Sequence, residues 1–193
     1  MLASAMRGLA SPGINGPWIS IPATGGGCMA YQFERLKILV VDDNAHMRRL
    51  VVTILQAFGV IQIYEAENGE QAWHALVEHN PDICVLDWMM EGMSGLELTQ
   101  KIRSDPGSPN CFVPVIMLTG YTSLDHVARA RDAGVNEFIA KPISPKTLMQ
   151  RFEAVIEHPR PFVRTRFYFG PCRRRRATGY QGPERREKKQ AAA

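Results

Sequence analysis

Residues 38–43 read Ile38-Leu39-Val40-Val41-Asp42-Asp43, a short apolar run that ends abruptly in two acids. Directly after it, Met47, Leu50, Val51, Ile54, Leu55 and Phe58 recur at helical spacing until Gly59, where a glycine is suited to ending a helix. A buried strand followed by a helix lying against it is the βα unit from which parallel sheets are built.

Working outward, the same alternation continues. A second strand is predicted at Ile61–Tyr64 and a second helix from Gly69 to His79. Pro81 precedes a third strand, Ile83–Leu86, which delivers Asp87 at its carboxyl end. A third helix follows Ser94, a fourth strand spans Val113–Leu118, and Thr122 with Asp125 forms a capping-box start for a fourth helix that Gly134 ends. Glu137–Ala140 is the fifth strand. Ser144 and Pro145 open a fifth helix, whose Leu148, Phe152, Val155 and Ile156 form one apolar stripe before Pro159. Five βα units predict an α/β fold, a doubly wound five-stranded parallel sheet, in one domain over residues 36–158.

The flanks differ in kind. Residues 1–35 mix Gly, Pro, Ser and Ala without period, and are expected to form a disordered leader; a reading frame opening at Met29 would omit most of it. Residues 160–190 hold eleven Lys or Arg against two Glu, leaving twelve against seventeen acids elsewhere. The net charge of +4 over 193 residues therefore hides a tail of +9 on a remainder of −5. With 45% hydrophobic residues the chain has the apolar material for a core. Cys28, Cys84, Cys111 and Cys172 form no C-x-x-C pair, which argues against a disulfide framework or zinc knuckle and fits a reducing cytoplasm. No apolar run approaches the roughly 18–20 residues of a membrane span, so no membrane insertion is expected.

A doubly wound sheet binds ligands outside the carboxyl ends of its strands. Strand one ends in Asp42-Asp43, strand three in Asp87, strand four in Thr119 and strand five in Lys141, so these residues are expected to face one crevice. Crowded carboxylates repel one another and recruit a hard cation, for which oxygen-only ligation favours Mg²⁺. A carboxylate beside such a cation, a hydroxyl donor and an ammonium can neutralise all three oxygens of a phosphoryl group. One carboxylate can then serve as nucleophile, and Asp87 on the central strand is the candidate.

Val41-Asp42-Asp43-Asn44, Leu86-Asp87-Trp88-Met89-Met90-Glu91-Gly92-Met93-Ser94-Gly95, Leu118-Thr119-Gly120 and Ala140-Lys141-Pro142 together resemble the receiver domains of response regulators, over about residues 36–158. The resemblance implies a flavodoxin-like (βα)5 receiver fold with strand order 2-1-3-4-5. It implies transfer of a phosphoryl group to Asp87 from a phosphohistidine on a histidine kinase or histidine phosphotransfer protein, in a two-component or phosphorelay system. Mg²⁺ (or Mn²⁺) would be held by Asp43, Asp87 and the Met89 backbone carbonyl, with Asp42 assisting through water. Thr119 and Lys141 would each contact a phosphate oxygen. Phe138 would turn inward as Thr119 moves, switching the surface of helix four, strand five and helix five for a downstream protein target. Lys141-Pro142 would be cis. No enzyme activity is implied beyond the chain's own phosphorylation and dephosphorylation. The sequence departs from the family at Glu91, where proline is usual, and carries Phe138 where Tyr is also common.

Other readings are weaker. Asp43 alone would suit a helix cap. The five histidines share no spacing and are expected to be solvent-exposed. Trp73, Trp88 and Cys84 are expected to be packing residues. Met89 stands two residues past Asp87, so the Asp-x-Asp of phosphoaspartyl enzymes is missing, and there is no P-loop.

In the tail, Tyr168-x-Gly-Pro-x-Arg-Arg recurs as Tyr180-x-Gly-Pro-x-Arg-Arg. Residues 159–193 are too rich in Gly, Pro and Arg for an output domain and are expected to be a flexible appendage. Arg173, Arg174, Arg175, Arg176, Arg185 and Arg186 are its candidate contacts. Arg forks suit an acidic protein surface or phosphates. Protein docking is favoured over nucleic acid, because binding resting on charge alone weakens steeply with salt.

Overall fold

The computed structural model describes residues 33–120, 124–166 and 168–173. The Thr122 cap, Tyr180 and the arginines at 174, 175, 176, 185 and 186 lie outside these residues. Lys37–Val41 (β1), Gln62–Ala66 (β2), Ile83–Asp87 (β3), Val115–Thr119 (β4) and Glu137–Ala140 (β5) form one parallel sheet in the order β2-β1-β3-β4-β5. Between them run Ala45–Ala57 (α1), Gly69–His79 (α2), Gly95–Ser104 (α3), Leu124–Ala133 (α4) and Pro145–Glu157 (α5).

Side-chain alternation divides the sheet into two cores. Ile38, Val40, Ile83, Val85, Ile116, Leu118 and Ile139 face α1 and α5, packing on Val51, Leu55, Leu148 and Phe152. Leu39, Val41, Cys84, Leu86, Val115 and Met117 face the other way, against Leu76, Leu98, Ile102 and Ala130. β1, β3 and β4 therefore read as unbroken apolar runs because both of their faces are covered. β2 is an edge strand, less buried and more polar, with Ile63 against one core and Tyr64 and Ala66 against the other.

The helix starts follow local chemistry. Asn44 caps α1, its side chain accepting from the amides of His46 and Met47. Ser94 and Glu97 form a capping box at α3, and Ser144 with Pro145 opens α5.

Four expectations are corrected. The second strand begins at Gln62 rather than Ile61, which is 73% exposed at the sheet's edge. The fourth begins at Val115, because Pro114 has no amide to donate to a ladder, although its carbonyl accepts from the Cys84 amide. The leader ends earlier: Phe33–Arg35 form a 3-10 turn, and Phe33 is buried with its ring 6.3 Å from that of Phe58.

The largest correction concerns the tail. Order continues past His158 into an antiparallel pair, Phe162–Arg164 (β6) and Phe169–Pro171 (β7). Its aromatic side chains have somewhere to go: Phe162 and Phe169 lie 5.1 and 5.4 Å from the ring of Phe112.

Candidate functional site

Asp42 follows β1, Asp87 ends β3 and Lys141 follows β5. Continuing each strand's alternation puts all three on the α1/α5 side of the sheet, where they meet. The Lys141 ammonium lies 2.9 Å from Asp87 Oδ1 and 3.1 Å from Asp42 Oδ2. Asp42 is fully buried and Asp87 is 5% exposed. Asp42 Oδ1 also accepts from the Asn44 amide at 2.9 Å, and Asp87 Oδ1 accepts from the Trp88 amide at 2.8 Å. Asp43 is exposed beside them, and a carboxylate oxygen from each of Asp42, Asp43 and Asp87 falls within 4.8 Å of the others. That spacing fits one small hard cation shared by three oxygens.

The electrostatics follow from sharing. Burial raises the carboxyl pKa of Asp87 above its ordinary value, outweighing its hydrogen bond to Lys141, and the charge of Asp42 adds to the rise. Burial pulls Lys141 down, but hydrogen bonds and charge from Asp87 and Asp42 outweigh it and leave its pKa raised. Both shifts run upward, favouring a protonated Asp87 carboxyl because burial dominates there and a charged Lys141 because one ammonium has two carboxylates. The pocket is short of positive charge.

Thr119 ends β4, buried, and its carbonyl accepts from the Lys141 amide at 2.8 Å. Its position in the strand places it on the opposite side from Asp87, toward the α2–α4 core. Lys141-Pro142 is cis. Phe138 is half-buried against the same core as Met117. Met89 follows in the β3–α3 loop with its side chain 58% exposed, and Glu91 is exposed further along. Gly95 closes this loop so tightly that a Cβ there would sit against the Asp87 carbonyl, and its amide donates to Trp88 O at 3.2 Å.

Sequence reasoning did not single out Arg48. It donates to the Asp42 carbonyl at 2.8 Å and pairs with Glu65 and Glu67, each at 3.1 Å, tying α1 to the end of β2. Nothing in a lone arginine on a helix announces that role. His46, His74 and His158 are exposed as expected, but His79 and His126 are not: His79 stacks on Tyr64 at 3.9 Å and His126 meets Trp88 edge-on at 5.5 Å. Cys84 is a core residue whose thiol burial pushes up to about 12. Arg173, expected to reach outward, pairs instead with Asp132 at 3.1 Å.

Residues 38–153 match the family model of the response regulator receiver domain. The chain belongs to that family. Chemotaxis protein CheY1 of Helicobacter pylori is 41% identical over 123 residues, 63% of this chain and 97% of that protein. The phosphate regulon transcriptional regulatory protein PhoB of Pseudomonas aeruginosa is 36% identical over 124 residues, but the chain spans only 53% of its length. The crystallised chemotaxis protein CheY4 of Vibrio cholerae superposes with a TM-score of 0.58 at 28% identity, over 63% of this chain and 98% of that one. The receiver is thus a response regulator of the two-component type, and β6 and β7 lie beyond the residues that the family model matches. Among the described residues no helix is long and apolar enough to cross a membrane.

Proposed function

We propose that Asp87 is the phosphoacceptor of this receiver and that the described domain is a phosphorylation-controlled switch in the cytoplasm. The observation that carries this is the convergence of Asp42, Asp43 and Asp87 on one point, with Lys141 against two of them. An Asp87 oxygen attacks the phosphorus of a phosphohistidine. The P–N bond breaks, an O–P bond forms, and the imidazole leaves with its electron pair. Lys141 holds one phosphoryl oxygen by ion pair, and the Thr119 hydroxyl, once it turns toward the pocket, holds another by hydrogen bond. The carboxylates of Asp42, Asp43 and Asp87 suit Mg²⁺ (or Mn²⁺); the ion would be held by them with the Met89 carbonyl, and would supply positive charge to the phosphoryl oxygens while relieving the carboxylates' mutual repulsion.

Once Lys141 is drawn to the phosphoryl group, Thr119 and Phe138 are the residues placed to carry the change toward α4, β5 and α5, the surface for a downstream protein. The donor is a histidine kinase or phosphotransfer protein. A groove lined by Ala45, His46, Arg48, Arg49, Val52 and Glu65, along the helix that follows Asp42 and Asp43, is the surface for its approach. The chain's own chemistry is limited to making and losing its phosphoaspartate.

The test is incubation of the full chain with Mg²⁺ and acetyl phosphate, followed by intact mass. The expected result is a gain of one phosphoryl group that Asp87→Asn prevents. An unchanged mass, or a gain that survives Asp87→Asn, would sink the reading.

A further inference from the structure

The β6–β7 pair is only three residues to a side, closed by Thr165 N to Tyr168 O and Cys172 N to Pro161 O, each at 2.8 Å. An isolated ribbon of that size does not hold itself together in water. Its order here comes from what it rests on. Phe162 and Phe169 meet Phe112 edge-on, leaving it 38% exposed, and the Arg103 guanidinium lies 5.1 Å over the ring of Phe162. Gly170 is pressed so closely on the α4–β5 connection that a Cβ there would lie 3.0 Å from Gly134 Cα and 2.7 Å from Tyr168 Oη. Arg160 reaches Glu137, the first residue of β5, at 3.4 Å. Arg173, its guanidinium 4.1 Å over Tyr168, reaches Asp132 in the last turn of α4 at 3.1 Å.

The aromatic contacts rest on α3 and the segment before β4, while Gly170, Arg160 and Arg173 grip the base of α4 and β5, the end away from Asp87. Arg103 completes the grip from α3, donating to Gly134 O and Asn136 Oδ1. α4 and β5 are also the elements assigned the response under the proposed function, on which this inference rests. The hairpin is docked while Lys141 pairs with both Asp42 and Asp87, a pairing that a phosphoryl group on Asp87 would break. A contact made in one of two states and weakened in the other favours the first by its own worth, and the coupling is reciprocal.

We propose that the hairpin of residues 160–173 is an intramolecular strap on the α4–β5 switch. Docked, it favours the unphosphorylated receiver; phosphorylation at Asp87 in turn loosens it, changing how the basic segment after Arg173 is presented.

The experiment uses the full chain with Mg²⁺ and acetyl phosphate, reading the labelling rate of Asp87 by mass, and hydrogen exchange of residues 162–171 with and without beryllofluoride. Gly170→Val removes no charge but puts a branched side chain against Gly134. Arg173→Glu breaks the pair with Asp132, and adding Asp132→Arg restores it with the signs exchanged. Expected are a rise of about two- to fivefold in labelling rate for either single variant, from the worth of a few partly exposed contacts, and reversal by the charge exchange. Exchange at 162–171 should quicken on adding beryllofluoride. Wild-type rates in both single variants, with hairpin exchange unmoved by beryllofluoride, would overturn the strap while leaving the phosphoacceptor intact. A wild-type chain that takes no label at all fails the phosphoacceptor reading first. Should Gly170→Val not fold, the surface variant Arg173→Glu still decides the question.

Discussion

The two ends of the sheet each hold a cation, one partly exposed and one buried, and they use it in opposite ways. At the carboxyl end Lys141 sits between two carboxylates, its pKa raised by them. At the amino end Arg103, 5% exposed, is surrounded by neutral acceptors: Gly134 O at 3.1 and 3.0 Å, Cys111 O at 2.8 Å and Asn136 Oδ1 at 3.0 Å. Burial there lowers its pKa to about 10. Arg103 has its hydrogen bonds met by carbonyls and amide, and among the described residues no carboxylate pairs with it. The pocket around Asp87 has more negative charge than its one ammonium can offset. A fully satisfied polar network rigidifies, and an unbalanced one is poised to take a ligand.

The largest effect expected is at the unbalanced end: Asp87→Asn should remove phosphoryl uptake altogether, read by intact mass. Lys141→Met should slow uptake by about a hundredfold, the scale for deleting one group that stabilises developing charge. It should also cost about 1–2 kcal/mol in chemical denaturation, less than a fully buried pair because the ammonium is partly exposed. At the satisfied end the order reverses. Arg103→Met leaves the buried Gly134 carbonyl and the part-buried Cys111 carbonyl without this donor, while Asn136 Oδ1 keeps the Val115 amide, and should cost about 3 kcal/mol of stability, while the chemistry at Asp87 keeps its residues. If Arg103→Met abolished uptake in a folded protein, the division between the two ends would fail.

The pH dependence separates them further. A raised carboxyl pKa in the folded state means that the fold binds that proton more tightly than the unfolded chain does. Asp87 thus adds stability as pH falls from its folded value toward about 3.9, the reverse of a salt-bridged aspartate. Lys141, also raised, contributes stability that is whole below its unfolded value of about 10.4 and lost as pH rises through the folded one. Mg²⁺ needs the ionised carboxylates, so at ten times its Kd it should stabilise the chain by about 1.4 kcal/mol at pH 7.5, and by progressively less on acidification through the Asp87 transition. Thermal melts with and without Mg²⁺ across that range read the difference, which Arg103→Met should leave unaltered. The smallest effect belongs to the element joining the two ends. Ser94→Ala removes the N-cap of α3, whose first residue closes the acceptor loop and whose last turn carries Arg103, and should cost about 1 kcal/mol in thermal melts.

Much of the pocket could be read beforehand because strand ends are local facts. Apolar runs ending in Asp42, Asp87 and Thr119 name the positions, and the parallel order of βα units sends those ends to one side. The amino-end assembly offered no such signal. Arg103 falls on the inward stripe of α3, seven residues after Leu96 and four after Thr99, but an arginine there reads as one whose head reaches water, and Phe162 and Phe169 appear in a stretch whose Gly, Pro and Arg read as solvent-loving.

By itself, the sequence determined the βα alternation, the fold and the residues that can do chemistry at its mouth, since periods of 2 and 3.6 are set within a few residues of chain. Only the tertiary structure decided that Lys141 bridges Asp42 and Asp87, and that Asp43 stays exposed. It also decided that Arg103 is a buried tie and that residues 160–173 fold back onto α4 and β5. Lys141 and Asp42 are 99 residues apart, and contacts at that distance depend on how complete elements pack, which no local pattern encodes.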